Sequence, residues 1–302
     1  MPLELLTAPI TEPLSLVEAK LHARVTASQT QEDSLINALV AAARDYAQNK
    51  TQRQLIAARY QYVLDSFPGP GVTGVSYVPW GHTFGLPGNA IVLPIGPALE
   101  IESIKYTDMS GTVKTLTAGT DYVVTGLNSE QPVRITPPFG QVWPPNVLPQ
   151  IGSVIVTFKA GMCAPVTSVD TAANTITVQG WKTLAVNDVV RLFVRDKASA
   201  GDGTLPAPLK ALTDYYVQSV VSTGVYTLSA SSGGAAIDIT NVGGGDIFVG
   251  DLPQGMLSWL RLSVTTMYEN RTAVLLDQRI TQAALPPEFL DGLLDPYRLA
   301  LY

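Results

Sequence analysis

Residues 251–271, DLPQGMLSWLRLSVTTMYENR, restore a helical period to the chain after residues 164–250, which have none. Leu257, Leu260, Val264, Met267 and Tyr268 recur at the spacing of one helix face. Pro253 suits a first-turn position, where its missing N–H is not needed. Upstream of the break, Val154–Phe158 reads as a strand ending at Ala160-Gly161. If 164–250 is lifted out, that strand passes directly into the Pro-started helix. The pattern therefore predicts one α+β domain interrupted by an inserted all-β domain, with boundaries 1–163, 164–250 and 251–302.

The chain outside the insert supports this division. The first 60 residues read as helical. Ser15 and Glu18 stand three apart, a capping box opening a short helix through Arg24. A second helix runs from about Gln31 to Asn49, with Leu35, Ile36, Leu39, Val40, Ala43 and Tyr46 on one face. The period then changes to two, with Tyr60, Tyr62 and Leu64 alternating against Arg59, Gln61, Val63 and Asp65. Residues 68–90 form a long Gly- and Pro-rich loop carrying Trp80, His82 and Phe84. Loops of that length are functional or mobile more often than connecting. Strands are expected at Ile91–Leu93, Ile101–Thr107, Val113–Leu116, Tyr122–Thr125 and Val133–Thr136, with a hairpin turn at Asp108-Met109-Ser110-Gly111.

Residues 164–250 are rich in Val, Thr, Ser and Gly. Short strands are expected at Thr175–Val178, Val189–Val194, Tyr215–Val221, Tyr226–Ser229 and Ile237–Ile239, joined by Asn187-Asp188, Ser222-Thr223-Gly224 and Ser231–Gly234. Such a run fits a small barrel or sandwich. A last short helix is expected after Pro286-Pro287, stopping before Pro296, followed by the tail Tyr297-Arg298-Leu299-Ala300-Leu301-Tyr302.

Composition narrows the function classes. Of 302 residues 46% are apolar, enough for a core, while charged residues make up only 15%. The net charge of −6 argues against sequence-independent DNA binding by the chain as a whole. A single cysteine, Cys163, excludes an internal disulfide. The opening MPLELLTAPITEPLSL lacks a signal-peptide pattern, and no stretch approaches the roughly 18 apolar residues of a membrane span. The expectation is a soluble protein used without export, with no membrane role.

A search for chemistry finds no constellation. Zinc needs clustered Cys and His, and the two histidines, His22 and His82, lie far apart. No cofactor or metal site is expected. There is no G-x-S-x-G elbow and no phosphate loop, and Gly243-Gly244-Gly245 reads as a turn. Asp108 and Asp121 sit at turns or strand ends, and Asp196, Asp202 and Asp214 lack the spacing of a calcium loop. Two readings from other classes stay open. One is a glycan or host binder stacking sugars on Trp181, Tyr215 and Tyr216; the other is a cell-wall enzyme using His82 and Asp121. The Tyr268-Glu269-Asn270-Arg271 cluster, where Arg271 complements the negative end of the helix dipole, reads as a structural corner or inter-subunit contact.

Several stretches taken together carry a resemblance. These are PLSLVEAK at Pro13–Lys20, the Ala-rich helix Leu35–Tyr46, RQLI at Arg53–Ile56, the strand Val154–Gly161 and the helix Pro253–Arg271. LPPEFLDGLLDPYR, residues 285–298, adds a short helix before Pro-Tyr-Arg. In order and content they resemble the head–tail connector (adaptor) proteins of tailed bacteriophages. Residues 205–240 resemble a small β module common in phage virion proteins. Two departures stand out: the glycine-rich stretch 68–90, and the insert itself.

The resemblance implies a helical adaptor fold with a small antiparallel sheet and no enzymatic activity. It also implies a homo-oligomeric ring of twelve subunits under the portal protein. Such a ring extends the DNA channel without sequence-specific binding and receives tail or tail-terminator (nozzle) proteins at the head–tail interface. Assembly in the bacterial host cytoplasm goes with it. The tail residues Tyr297, Arg298, Leu299, Leu301 and Tyr302 are candidate portal or partner contacts, and Trp80, His82 and Phe84 candidate loop contacts. The near-balanced insert is expected to project outward.

Overall fold

The computed structural model describes residues 3–69, 89–129, 131–195, 203–211, 213–270 and 292–299. Contacts divide the chain into two compact units. One, the sheet unit, comprises residues 1–9, 52–161 and 299–302; the other, the barrel unit, comprises 10–51 and 162–298. The helices thus group with the β block rather than with the sheet that the sequence pattern joins them to.

The sheet unit is built on five strands: β1 (Leu3–Thr7), β2 (Ala58–Leu64), β4 (Ala98–Thr107), β5 (Val113–Leu116) and β8 (Val154–Ala160). Their order is β1-β2-β8-β4-β5, with every neighbouring pair antiparallel. A smaller sheet of β3 (Ile91–Val92), β7 (Arg134–Thr136) and β6 (Val123–Thr125) lies in the same unit. The alternation seen around Tyr60 is real: Tyr60 and Leu64 are buried while Arg59 and Asp65 are exposed. Apolar alternate residues form the core, where Phe67 stacks on Trp143 at 4.7 Å and meets Tyr106 edge-on. The indole N–H of Trp143 donates to the Asn89 carbonyl at 2.6 Å, so this large side chain is buried with its polar atom satisfied.

One expectation fails at the start. Leu3–Thr7 is not helical but a strand on the edge of the sheet, paired with β2 and bulged between Leu5 and Thr7. Five residues with no alternation of burial carry no local strand signal, and pairing with Ala58–Leu64 decides their state.

The barrel unit holds α1 (Leu16–His22), α2 (Asp33–Thr51) and α3 (Gln254–Glu269). The capping box at α1 forms as expected, with Ser15 Oγ accepting from Glu18 N–H at 3.1 Å and the Glu18 carboxylate accepting from Ser15 N–H. Ile36, Val40, Ala43 and Ala47 bury one face of α2, and Met256, Leu257, Leu260 and Val264 bury one face of α3. Tyr46 stacks on Trp259 at 5.3 Å, sealing the contact between the two helices. Each fully buried Leu or Ile at such a face contributes about 1.5–3 kcal/mol.

The same unit contains β9 (Cys163–Asp170), β10 (Thr175–Val178), β11 (Val189–Val190), β12 (Leu192–Arg195), β13 (Tyr215–Ser222), β14 (Val225–Ser229) and β15 (Asp246–Gly250). Their order is β11-β13-β14-β10-β9-β15-β12. The two end strands are one stretch of chain, divided only at Arg191. The Arg191 carbonyl accepts from Gly250 N–H at 2.9 Å, and its guanidinium pairs with Asp214 just before β13. The sheet therefore nearly closes on itself, and closure removes the free edges that an open sheet exposes. Its interior is filled by Ile176, Leu192, Val217, Tyr226, Leu228 and Val249, while Phe248 stacks with Phe193 on the opposite face. The expected barrel or sandwich is thus a nearly closed barrel-like sheet.

Two local readings are corrected. Ile237–Ile239 is not a strand; Ile237 N–H bonds Leu228 O and Ile239 N–H bonds the Asn174 side chain, while Ile239 is buried as a plug. β9 and β15 carry no clear sequence signal. Pro165 occupies β9 where the strand passes from pairing β15 to pairing β10, so its missing N–H breaks no ladder bond there. Pro296 lies inside a 3-10 turn, Asp295–Tyr297, after helical Gly292. The helix expected after Pro287 falls largely outside the described residues.

Candidate functional site: a charged corner and exposed surfaces

In the barrel unit, charged side chains gather where the three helices meet. Glu18, already engaged in the α1 cap, accepts from Arg261 of α3 at 3.3 Å and lies 3.7 Å from Arg195 of β12. Arg195 also stands 5.2 Å over the Phe193 ring. Lys20, only 5% exposed, pairs with Asp33 and donates to Gln29 O at 2.8 Å. Arg44 pairs with Glu12, whose carboxyl is pushed above its ordinary range by burial, with Arg44 opposing that shift.

His22 Nδ1 lies 2.7 Å from Thr265 Oγ1, and the Thr265 hydroxyl donates to Arg261 O at 3.0 Å. With that proton committed, the His22 Nδ1–H must be the donor. The histidine is used as a fixed strut.

The polar end of α3 joins this corner. The Tyr268 phenol donates to Glu32, tying α3 to the segment before α2. Asn270 caps the helix, its backbone and side-chain N–H groups both donating to Thr266 O at 3.0 and 2.9 Å. Glu269 is exposed, and Arg271 lies outside the described residues. Tyr268 and Asn270 thus each make hydrogen bonds within the barrel unit.

The other candidates separate. Asp108 is buried in a turn: its Oδ1 accepts from Ser110 N–H at 2.9 Å and Thr112 N–H at 3.0 Å. Hydrogen bonds from Ser110 and Thr112, with Lys114 nearby, hold its carboxyl below the ordinary carboxylate range. Asp121 accepts from Thr117 N–H, and Asp214 is held low by Arg191. Tyr215 is buried with its hydroxyl accepting from Lys210 N–H, whereas its neighbour Tyr216 points to the opposite face of β13. The two tyrosines therefore cannot form one stacking platform. His82, Trp80, Phe84, Asp196 and Asp202 lie outside the described residues. Among the described residues no group of three or more His, Cys, Asp or Glu could hold a metal, and no helix is long and apolar enough to cross a membrane.

In the tail, the Tyr297 hydroxyl sits where a side chain on Gly255 would go, 2.8 Å from the position of its Cβ. Arg298 is exposed and faces Asp295 at 3.7 Å. Leu299 is 6% exposed and packs against Gly96 in the sheet unit. Leu301 and Tyr302 are outside the described residues. A cleft of about 570 Å³ opens in the barrel unit between Pro165–Val169 and Asp246-Ile247, with Ile10 and Thr11 along it.

Among the described residues both ends of the five-stranded sheet are unpaired, and apolar residues stand exposed there and nearby: Leu5, Leu6 and Val113, with Phe139, Val142 and Ile151 on connecting segments. Surfaces of this kind serve contact between proteins.

Residues 13–79 match the family model of the phage gp6-like head-tail connector proteins. The matched segment carries α1, its capping box, α2 and β2. Across its whole length the chain is also similar in fold to a chain of the "virion of native gene transfer agent (GTA) particle", with TM-score 0.51, 15% identity and 97% of that chain covered. A chain in the "neck of empty GTA particle computed with C6 symmetry" gives TM-score 0.51 at 16% identity, with the same coverage. No curated relative matches the chain in sequence. The matched segment thus contributes Glu18, whose partners Arg195 and Arg261 come from β12 and α3. That pairing across 243 positions between Glu18 and Arg261 left no mark that sequence reasoning could use.

Proposed function

We propose that this chain is a structural connector in the neck of a phage-like particle, without turnover of a substrate. Its subunits close into a ring, twelve on the pattern the family resemblance implies, beneath the portal. The ring extends the DNA channel and receives tail or tail-terminator (nozzle) proteins. The observation that carries this reading is the connector-family match over residues 13–79 falling on the capped helix α1 and on α2. The fold shared with the gene-transfer-agent chains agrees with it. A charged corner whose members are all committed to one another suits a part that must be rigid.

Residues 164–250 act in this reading as an inserted domain placed outside the channel, because mass projecting inward would obstruct DNA. In support, all the strands of the nearly closed sheet lie within 163–250. Arg298 and the end of the tail, with the loop bearing Trp80, His82 and Phe84, are proposed contacts to portal or neighbour. Leu299 is already committed to its own fold.

Particles produced without this chain should retain packaged DNA poorly and lack tails, and negative-stain images of the purified chain should show rings. Tailed, infectious particles made in its absence would refute the proposal.

A further inference from the structure

A closed ring repeats one contact between two different surfaces of each subunit. The five-stranded sheet offers two such surfaces, since among the described residues β1 and β5 each pair on one side only. Four antiparallel steps separate them, so the two edges run in the same direction.

The hydrogen bonds show which main-chain groups are open. Thr107 N–H donates to Ser153 O and Thr107 O accepts from Leu148 N–H, both at 2.9 Å, so Thr107 faces away from β5. Val113, paired with Thr107, and Thr115, paired with Lys105, therefore turn their N–H and C=O outward. On the far side, Gly161 N–H donates to Pro97 O and Ser153 O accepts from Thr107, so the odd-numbered residues of β8 face β4. The even-numbered ones face β2, which leaves Gln61 facing Glu4 of β1, and Leu3 and Leu5 facing outward. Leu5 is 51% exposed, Leu6 43% and Val113 62%. Edges that display apolar side chains beside open main-chain groups invite pairing.

We propose that β5 of one copy pairs in parallel with β1 of the next, joining the sheets head to tail as the seam of the ring. This rests on the ring reading above. A rotation that closes a ring keeps each copy's sense along the axis, so a parallel join is the one consistent with it. Like edges meeting, β1 on β1 or β5 on β5, form a twofold pair and stop at a dimer. In a parallel ladder an outward residue brackets one residue of its neighbour. Leu5 or Leu3 thus sits opposite Lys114, which sets Glu4 opposite Val113 or Thr115.

Two double variants of the full chain, Glu4→Cys with Val113→Cys and Glu4→Cys with Thr115→Cys, cover both registers. Native Cys163 is buried and stays in place. After mild oxidation of the assembled protein, one double variant should give a ladder of cross-linked multiples on a non-reducing gel, and each single variant at most a dimer. Thr115→Pro removes an outward N–H and leaves the β4 ladder intact, so it should raise the concentration for half-assembly about tenfold. Its circular dichroism melt should stay that of the parent chain.

Rings seen by microscopy with no ladder in either double variant, and unchanged assembly of Thr115→Pro, would overturn the seam while the ring stands. Dimers alone would overturn the seam in favour of like-edge pairing. A chain that never assembles, alone or in particles, removes both the ring and the seam.

Discussion

Gly161 ends β8 at a backbone φ of +156°, and a Cβ placed there would lie 2.4 Å from Ala57 Cα and 2.6 Å from Ala57 N. Both atoms are main chain, so no rotamer change can clear them. Gly161 N–H also donates to Pro97 O at 3.0 Å, which fixes the residue from the other side. A non-glycine residue in such a conformation costs about 1–3 kcal/mol. Forced overpacking against a fixed neighbour costs about 1–3 kcal/mol more. Gly161→Ala should therefore destabilise the sheet unit by about 4 kcal/mol. At a urea m-value of about 2 kcal/mol/M, the midpoint falls by about 2 M. Fluorescence of Trp143, stacked on Phe67 within that unit, with Trp80, Trp181 and Trp259 replaced by Phe, reports the transition. Gly69→Ala is the control, since nothing lies within 4 Å of its Cβ position. A midpoint for Gly161→Ala within 0.25 M of the control, a difference of about 0.5 kcal/mol, would refute the backbone-clash argument.

Glu18→Gln removes the charge shared by Arg195 and Arg261 and should lower stability by about 2 kcal/mol, more than Ser15→Ala at about 1 kcal/mol; equal losses in urea titrations would mean that only the cap matters. Asp108 has its carboxyl held low in the fold, so its contribution is present above the ordinary value of 3.8 and is lost as pH falls through the lower folded value. The protection factors of the Ser110 and Thr112 amides, taken relative to intrinsic exchange at each pH, should accordingly fall below about pH 4, and Asp108→Asn should abolish that dependence. Burial pushes the Cys163 thiol up, against a smaller opposing effect of Arg195. A disulfide reagent at pH 8 should leave it unmodified in the native protein and titrate one thiol after denaturation; rapid native labelling would contradict its burial. Residues 163–250 expressed alone should melt cooperatively, because their sheet nearly closes within that range; an unstructured fragment would show that the β block needs the helices to fold.

Local pattern was enough to read much of this protein. The Ser15–Glu18 cap, the apolar faces of α2 and α3, the strand Val113–Leu116 and its Asp108 turn are all short-range arrangements. Each is specified by residues within a turn or two of one another, so the sequence announces them. The connector likeness of residues 13–79 was legible for the same reason. Residues whose state depends on a distant partner were not. Leu3–Thr7 becomes a strand through pairing with Ala58–Leu64, and β9 is a strand despite Pro165 because its neighbours change there. Glu18 is read as a cap alone until the fold brings Arg195 and Arg261 to it. The grouping of the helices with the barrel, the closure of that barrel at Arg191 and the common direction of the two free sheet edges come from tertiary structure. They follow from hydrogen bonds and burial between segments far apart in the chain, and no local period encodes such pairings.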